Sequence, residues 1–161
     1  MNAVISPCGK YRYYLQRRVA TDGKLFAYFG INPSTADHVI DDQTVKKWIG
    51  FTERNGGRGF MVGNVFSYRS RDVKALSSAE DPHGRDHWMH IDQIIARADL
   101  LVPCWGRLDK VPRSMRHNMG RLLDALRESG KPVLHFGLTK CGQPKHPQML
   151  GYATPLTPME F

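Results

Sequence analysis

Four stretches of the chain carry side chains able to act on a small polar ligand. In Asn32-Pro33-Ser34 an amide ends an apolar run, and Pro33 fixes the local φ so that the amide and nearby backbone groups can be held toward a cleft. A plain turn stabilised by the Asn side chain is the simpler use of the same tripeptide. Asp37, Asp41 and Asp42 follow, and a carboxylate among them could hold or deprotonate a water, although one is needed to cap the helix that comes next. Asn64 closes a second apolar run with a carboxamide that both donates and accepts, the complement to the edge of a base, or else serves as a buried structural amide. His146-Pro147 stands in a basic loop with Lys140 and Lys145, where an imidazole could donate to developing negative charge or simply face solvent.

Other candidates are more diffuse. Arg69 with Arg71, Arg107 with Lys110, and Arg113 with Arg116 could contact phosphates or form solvated faces, with Tyr68 and Trp105 as stacking surfaces. His83, His87 and His90 have spacings of four and three, which on a helix would gather imidazoles for a metal. His83 falls ahead of the helix and no fourth ligand is evident, so a polar helix face is the simpler reading and no metal is expected. No Walker loop, GxGxxG, GxSxG or HExxH occurs, which leaves nucleotide hydrolysis, NAD chemistry and common hydrolase mechanisms without support.

The elements that must position these residues follow from periodicity. Residues 11–18 and 24–31 are aromatic-rich runs around Thr21-Asp22-Gly23 and read as an antiparallel pair. A helix is predicted over 43–54, with Val45, Trp48, Ile49 and Thr52 inward and Asn55-Gly56-Gly57 as its stop. The short apolar runs 59–66, 99–106 and 131–137 read as buried strands, and helical spacing marks 85–98 and a third helix from Met115 to Ser129-Gly130. Alternation of strand and helix predicts a mainly parallel sheet with helices on its faces. Ligands of such sheets bind beyond the carboxyl ends of the strands, where Asn32, Asn64, Trp105 and His135 stand. Residues 138–161 read as loop.

The whole is 161 residues long, which suits one domain, 1–161, and 41% hydrophobic residues can build a core. With 23 Lys and Arg against 15 Asp and Glu the net charge is +8, which fits a polyanionic partner without requiring one. No apolar run is long enough for a membrane span, and the first residues do not have the pattern of an export signal. Three widely spaced cysteines, Cys8, Cys104 and Cys141, define no disulfide framework, so a cytoplasmic protein is expected.

Taken together, residues 30–37, Asp41-Asp42-Gln43-Thr44, residues 63–69, Trp105-Gly106 and residues 137–147 resemble the DUF1643 domain family over nearly the whole chain. The motif order is more distantly similar to the uracil-DNA glycosylase superfamily, whose mismatch-specific branch has GINPG where this chain has GINPS. That resemblance implies a three-layer α/β/α sandwich with a mainly parallel central sheet. It also implies a DNA glycosylase that flips a modified pyrimidine and hydrolyses its N-glycosidic bond to leave an abasic site. Some DUF1643-like proteins are phage-defence enzymes acting on glucosylated hydroxymethylcytosine, which makes a bulky modified base a candidate substrate. By the same resemblance Asn32 positions the water, with Asp37 assisting, and His146 supports the departing base. Pro33, Ser34, Asn64, Phe66 and Trp105 contact the substrate. Arg69, Arg71, Arg107, Lys140 and Lys145 hold DNA, with Met149 or Leu150 as the wedge. Ser34 replaces a Gly and Gln148 a Ser of the motifs, and the cysteines of the iron–sulfur branch are absent. The expectation is therefore an enzyme without metal or organic cofactor, with DNA as partner and no obligate protein partner or membrane. A non-catalytic reader of modified DNA, a nucleotide-binding module and an enzyme acting on free nucleosides are the alternatives.

Overall fold

The computed structural model describes residues 2–34, 36–37 and 39–161. Its central element is a five-stranded mixed sheet formed by β1 (Asn2–Ile5), β2 (Arg12–Arg18), β3 (Lys24–Gly30), β4 (Gly57–Asn64) and β5 (Leu100–Pro103). The spatial order is β1-β2-β4-β3-β5. Strand β3 is parallel to both its neighbours, β4 and β5, whereas β2 is antiparallel to β4 and to β1. The helices are α1 (Gln43–Arg54), α2 (His87–Arg97) and α3 (His117–Glu128). A separate two-stranded ribbon, β6 (Leu134–His135) with β7 (Thr157–Pro158), adjoins β5 through a parallel bridge between Leu101 and Val133.

Strand β3 lies inside the sheet, between β4 and β5, because both its faces are apolar, and its alternation divides the core in two. Phe26 and Tyr28 point to one face with Val45, Trp48 and Phe51 of α1. Leu25, Ala27 and Phe29 point to the other, against Ile91, Ile94 and Ile95 of α2 and Leu122 and Leu126 of α3. Helix α1 begins where Asp42 Oδ1 accepts the Val45 N–H at 2.9 Å, the side-chain cap that satisfies one of the first turn's free donors. Its inward stripe includes Phe51, while Ile49 is only half-buried.

Two expectations are corrected. The sheet is mixed, not mainly parallel, and β2 and β3 do not form a hairpin, because β4 lies between them. The turn at Thr21-Asp22-Gly23 exists, but pairing with the two-sided apolar strand β4 satisfies β3 better than the more polar β2 could. Strand β1, too short to announce itself, adds an edge.

The connection from β3 to α1 bends back over β2, where two buried arginines, one at each end of that strand, hold it. Arg17 Nε pairs with Asp41 Oδ1 at 2.7 Å, and its Nη2 donates to the carbonyls of Asp37 and Ile40. Arg12 Nη1 donates to Ala36 O at 2.8 Å. Removing one member of a buried pair leaves the other charge uncompensated. Since Asp41 is partly solvated, Asp41→Ala is expected to lower the unfolding free energy by roughly 2–3 kcal/mol, less than the roughly 3–5 kcal/mol of a break in a fully buried pair. Urea denaturation checks this, and a loss within experimental error would mean that Arg17 is held by carbonyls alone.

Candidate functional site

Where β3, β4 and β5 end, a cavity of about 460 Å³ opens between the 30–34 turn, the first turn of α1, the Trp105-Gly106-Arg107 turn and residues 146–148. Its size is within the roughly 300–1,000 Å³ usual for small-molecule sites. The register brings Gly30 opposite Asn64, so the two asparagines that end these strands meet at one cavity.

Asn32 is locked in one orientation. Its Nδ2 lies 2.9 Å from Ser70 O and 3.2 Å from both Tyr68 O and Pro33 O, which identifies that end of the amide as the donor. Oδ1 has no hydrogen-bond partner among the described residues and remains an acceptor. Asn64, 4% exposed, also lines the cavity, and neither end of its carboxamide is hydrogen-bonded to a described side chain or carbonyl. A Cβ at Gly30 would stand 3.0 Å from Asn64 Oδ1, so the missing side chain at Gly30 gives that amide its room.

His146 is half-buried against the same cavity. The Gln148 N–H donates to its Nδ1 at 3.2 Å, so the neutral ring carries its proton on Nε2. Burial, helped by the charge of Lys110, lowers its pKa, while Asp42 opposes the shift. Its backbone is brought close by Gly106, whose φ of +81° and absent side chain leave the His146 Cβ only 3.1 Å from where a Cβ would project. Trp105, 1% exposed, forms a wall rather than an open stacking surface, and its Nε1 donates to Gln143 Oε1 at 2.8 Å. Pro33 and Ser34 line the cavity as well. At the end of β5 Cys104 is fully buried, which pushes its thiol up to about 12 and removes it as a nucleophile at neutral pH.

Several candidates lie elsewhere. Asp37 is outside the cavity lining; its Oδ1 accepts the N–H groups of Val39 and Ile40 and closes the turn that Arg17 holds. Asp41 is engaged by Arg17, so of the three acids Asp42 is the one that reaches the cavity. Phe66 is in the core, because the chain continues past Asn64 with the N–H groups of Val65 and Phe66 bonded to the carbonyls of Gly30 and Ile31. Lys140 and Lys145 are exposed and do not line the cavity. Leu150 packs against the α1 side of the core, leaving Met149, 92% exposed, as the available apolar tip. Arg71 and Arg107 stand at the mouth, and Arg69 lines a second hollow beside it. Sequence reasoning missed Arg12 and Trp48 as lining residues, whereas Lys110, a candidate phosphate contact, does line the cavity. The spacing of Trp48 points only to the core stripe, and nothing local marks Arg12 as buried, because its cover comes from the β3–α1 connection.

The three histidines do not converge. His83 and His87 are ring neighbours at 4.8 Å, while His90 stacks on Tyr13 at 5.2 Å. No group of three or more His, Cys, Asp or Glu is placed to hold a metal ion among the described residues. His87, 1% exposed, shares a 2.7 Å hydrogen bond between Nδ1 and Ser67 Oγ, and burial with help from His83 and Arg121 pushes its pKa down to about 3. The unfolded chain, with an ordinary imidazole near 6.5, therefore binds the proton that the folded chain refuses. Stability from this group is present above about pH 6.5 and is lost as pH falls toward 3, by at most about 1.4 kcal/mol per pH unit. Denaturation at pH 7, 6 and 5 should show this decline, and His87→Asn should flatten it; an unchanged slope in the variant would exclude His87 as its source.

No helix among the described residues is long and apolar enough to cross a membrane. No curated protein and no solved structure matches the chain. Residues 12–148, which contain every strand end that builds the cavity, match DUF1643, a protein family of unknown function, and the chain belongs to that family.

Proposed function

We propose that this protein is a DNA glycosylase that extrudes a modified pyrimidine nucleotide into the cavity and hydrolyses its N-glycosidic bond. The observation that carries the reading is the convergence of three groups on one cavity: Asn32 with an unpartnered Oδ1, Asn64 with an uncommitted carboxamide, and His146 with its proton on Nε2. Breaking the bond leaves positive character on the sugar and negative charge on the base. Asn32 Oδ1 accepts a hydrogen bond from the attacking water, and Asp42, which lines the cavity where Asp37 does not, takes its proton. Neutral His146 donates from Nε2 to the departing pyrimidine, and Asn64 reads its edge. Water oxygen bonds to the sugar carbon, the base leaves with the bonding pair, and an abasic site remains.

Helices on both faces of the sheet and the GINPS, Asn64 and His-Pro positions support a three-layer arrangement like that of the uracil-DNA glycosylase superfamily. Arg71, Arg107 and Lys110 in the cavity lining and Arg69 in the hollow beside it favour a polyanion, and extrusion, which costs a few kcal/mol, would be offset by their phosphate contacts and by Met149 in the vacated stack.

Purified protein is incubated with DNAs carrying uracil, thymine mismatches, hydroxymethylcytosine or its glucosylated form, and alkali-labile sites and released base are scored. One substrate is expected to be cleaved. Loss of the water-holding acceptor in Asn32→Ala should slow it by about 10²-fold or more, and His146→Ala by roughly 10²–10³-fold. Salt-sensitive DNA binding without base release from any substrate would overturn the enzymatic reading in favour of a reader of modified DNA.

A further inference from the structure

The two arginines that hold the β3–α1 connection differ in one respect. Arg17 has a carboxylate partner and three carbonyls. Arg12 is 3% exposed, lines the cavity, and forms no ion pair among the described residues. Its only hydrogen bond there from a side-chain nitrogen is Nη1 to Ala36 O, and its Nε is buried with no partner. Asp42 and Asp37 act on the guanidinium through space, but no carboxylate among the described residues is in contact with it, and a buried charge with unused donors is costly to keep, so an anion seated in the cavity would complete it.

The surroundings agree. Besides Arg12 the cavity presents Arg71, Arg107 and Lys110 against a single carboxylate, Asp42, which is itself occupied in capping α1. A second hollow shares Ser34, Ser70 and Arg71 with the cavity and adds Lys10 and Arg69, with no acidic residue in its lining. Burial depresses the Arg12 pKa to about 10, so the guanidinium is still charged at neutral pH. A carboxylate or phosphate would fit the charge. The planar fork can give two parallel N–H bonds to either, and the continuous basic hollow, which extends toward the next phosphate along a strand, favours a phosphate.

We infer that Arg12 is a specificity residue that binds the phosphate group of a nucleotide seated in the cavity. The inference rests on reading the cavity as a nucleotide site, and it distinguishes a nucleotide from the bare base or nucleoside. The phosphate can belong to a free mononucleotide or to a DNA strand. In the strand case Arg12 grips the phosphate flanking the extruded nucleotide, and Arg69, Arg71 and Lys10 continue along the backbone.

The test is calorimetric titration of the wild-type protein with deoxycytidine, dCMP, thymidine, dTMP and the dinucleoside phosphate d(TpC). A hydrogen-bonded charge of this kind predicts that dCMP or dTMP binds about tenfold or more tighter than its nucleoside. Arg12→Gln, which retains a donor for Ala36 O, should erase that preference while nucleoside affinity stays within about twofold, and Arg12→Lys should retain part of it. Near-ultraviolet circular dichroism confirms that the variants are folded. Since a buried substitution can unfold the chain, the nucleotide-to-nucleoside ratio of the wild type stands as a test by itself. Preference for d(TpC) assigns the phosphate to a strand, and preference for the monoesters alone assigns it to a free nucleotide. Equal affinity for nucleotide and nucleoside, no binding of any probe, or a preference that survives in folded Arg12→Gln would overturn the inference. Base release from DNA with no phosphate preference would sink this inference and leave the glycosylase standing. Arg12-dependent nucleotide binding with no base release would do the reverse.

Discussion

Where the β3–β4 ladder stops determines what the cavity contains. The two strands run parallel in register from Leu25 opposite Gly59 to Gly30 opposite Asn64, so both chains leave the sheet at the same level. The pairing persists slightly beyond the strands, through the N–H groups of Val65 and Phe66 to the carbonyls of Gly30 and Ile31. That extension commits Phe66 to the core and leaves Asn64 as the last side chain to face the opening. A shift of one residue would put Gly63 or Val65 opposite Gly30 and turn the Asn64 side chain to the other face, because alternate side chains face opposite sides of a strand. Gly30 is the counterpart of this constraint: any side chain there would press on Asn64 Oδ1.

The second constraint is the crossing of the β3–α1 connection over β2. Its polar backbone is answered by two arginines from one short strand, and they divide the work. Arg17 meets a carboxylate and several carbonyls and is structurally complete. Arg12 supports a single carbonyl and keeps hydrogen-bonding capacity at the cavity. Both pull the connection against the sheet, which fixes where Asp42 starts α1 and how closely the first turn approaches Asn32. Asn32 in turn ties the 68–70 segment through Nδ2, so the wall carrying Ser70 and Arg71 is positioned by the same side chain whose Oδ1 faces no protein donor.

Much of this was legible in the sequence, and the parts that were not share a cause. Helix α1 spans residues 43–54 as its periodicity and cap predict, since Asp42, Val45, Trp48 and Asn55 all act locally. The meeting of Asn32, Asn64 and Trp105 followed from strand ends that break abruptly from apolar to polar residues, a signal that parallel strands make spatial, and the loop that leads on from His135 brings His146 to them. The partner of β3 was not legible, because a local turn at Asp22-Gly23 suggested β2 while the better partner lay some thirty residues downstream. Nor was the division among Asp37, Asp41 and Asp42: adjacent carboxylates look alike in sequence, and the one engaged by Arg17 depends on how the connection folds back. Arg12 was invisible for the same reason, since its burial is produced by a segment beginning some twenty residues later.

The electrostatics of the cavity bear on why it contains a neutral histidine beside cations. His146 loses proton affinity to burial and to Lys110, while Asp42 restores some to it and also supports the charge of Arg12. Asp42 is held in place because it caps the N-terminus of α1, where its Oδ1 accepts an N–H of the first turn. One carboxylate thus moderates two bases without forming an ion pair with either. Were Asp42 in direct contact with Arg12, the guanidinium would be neutralised and closed to a ligand. Were it absent, Arg12 and His146 would lose the negative charge that supports their protonation. The arrangement keeps a fixed positive charge at one place in the cavity and an uncharged proton donor at another, so that an anionic group and a group that becomes anionic can be held separately.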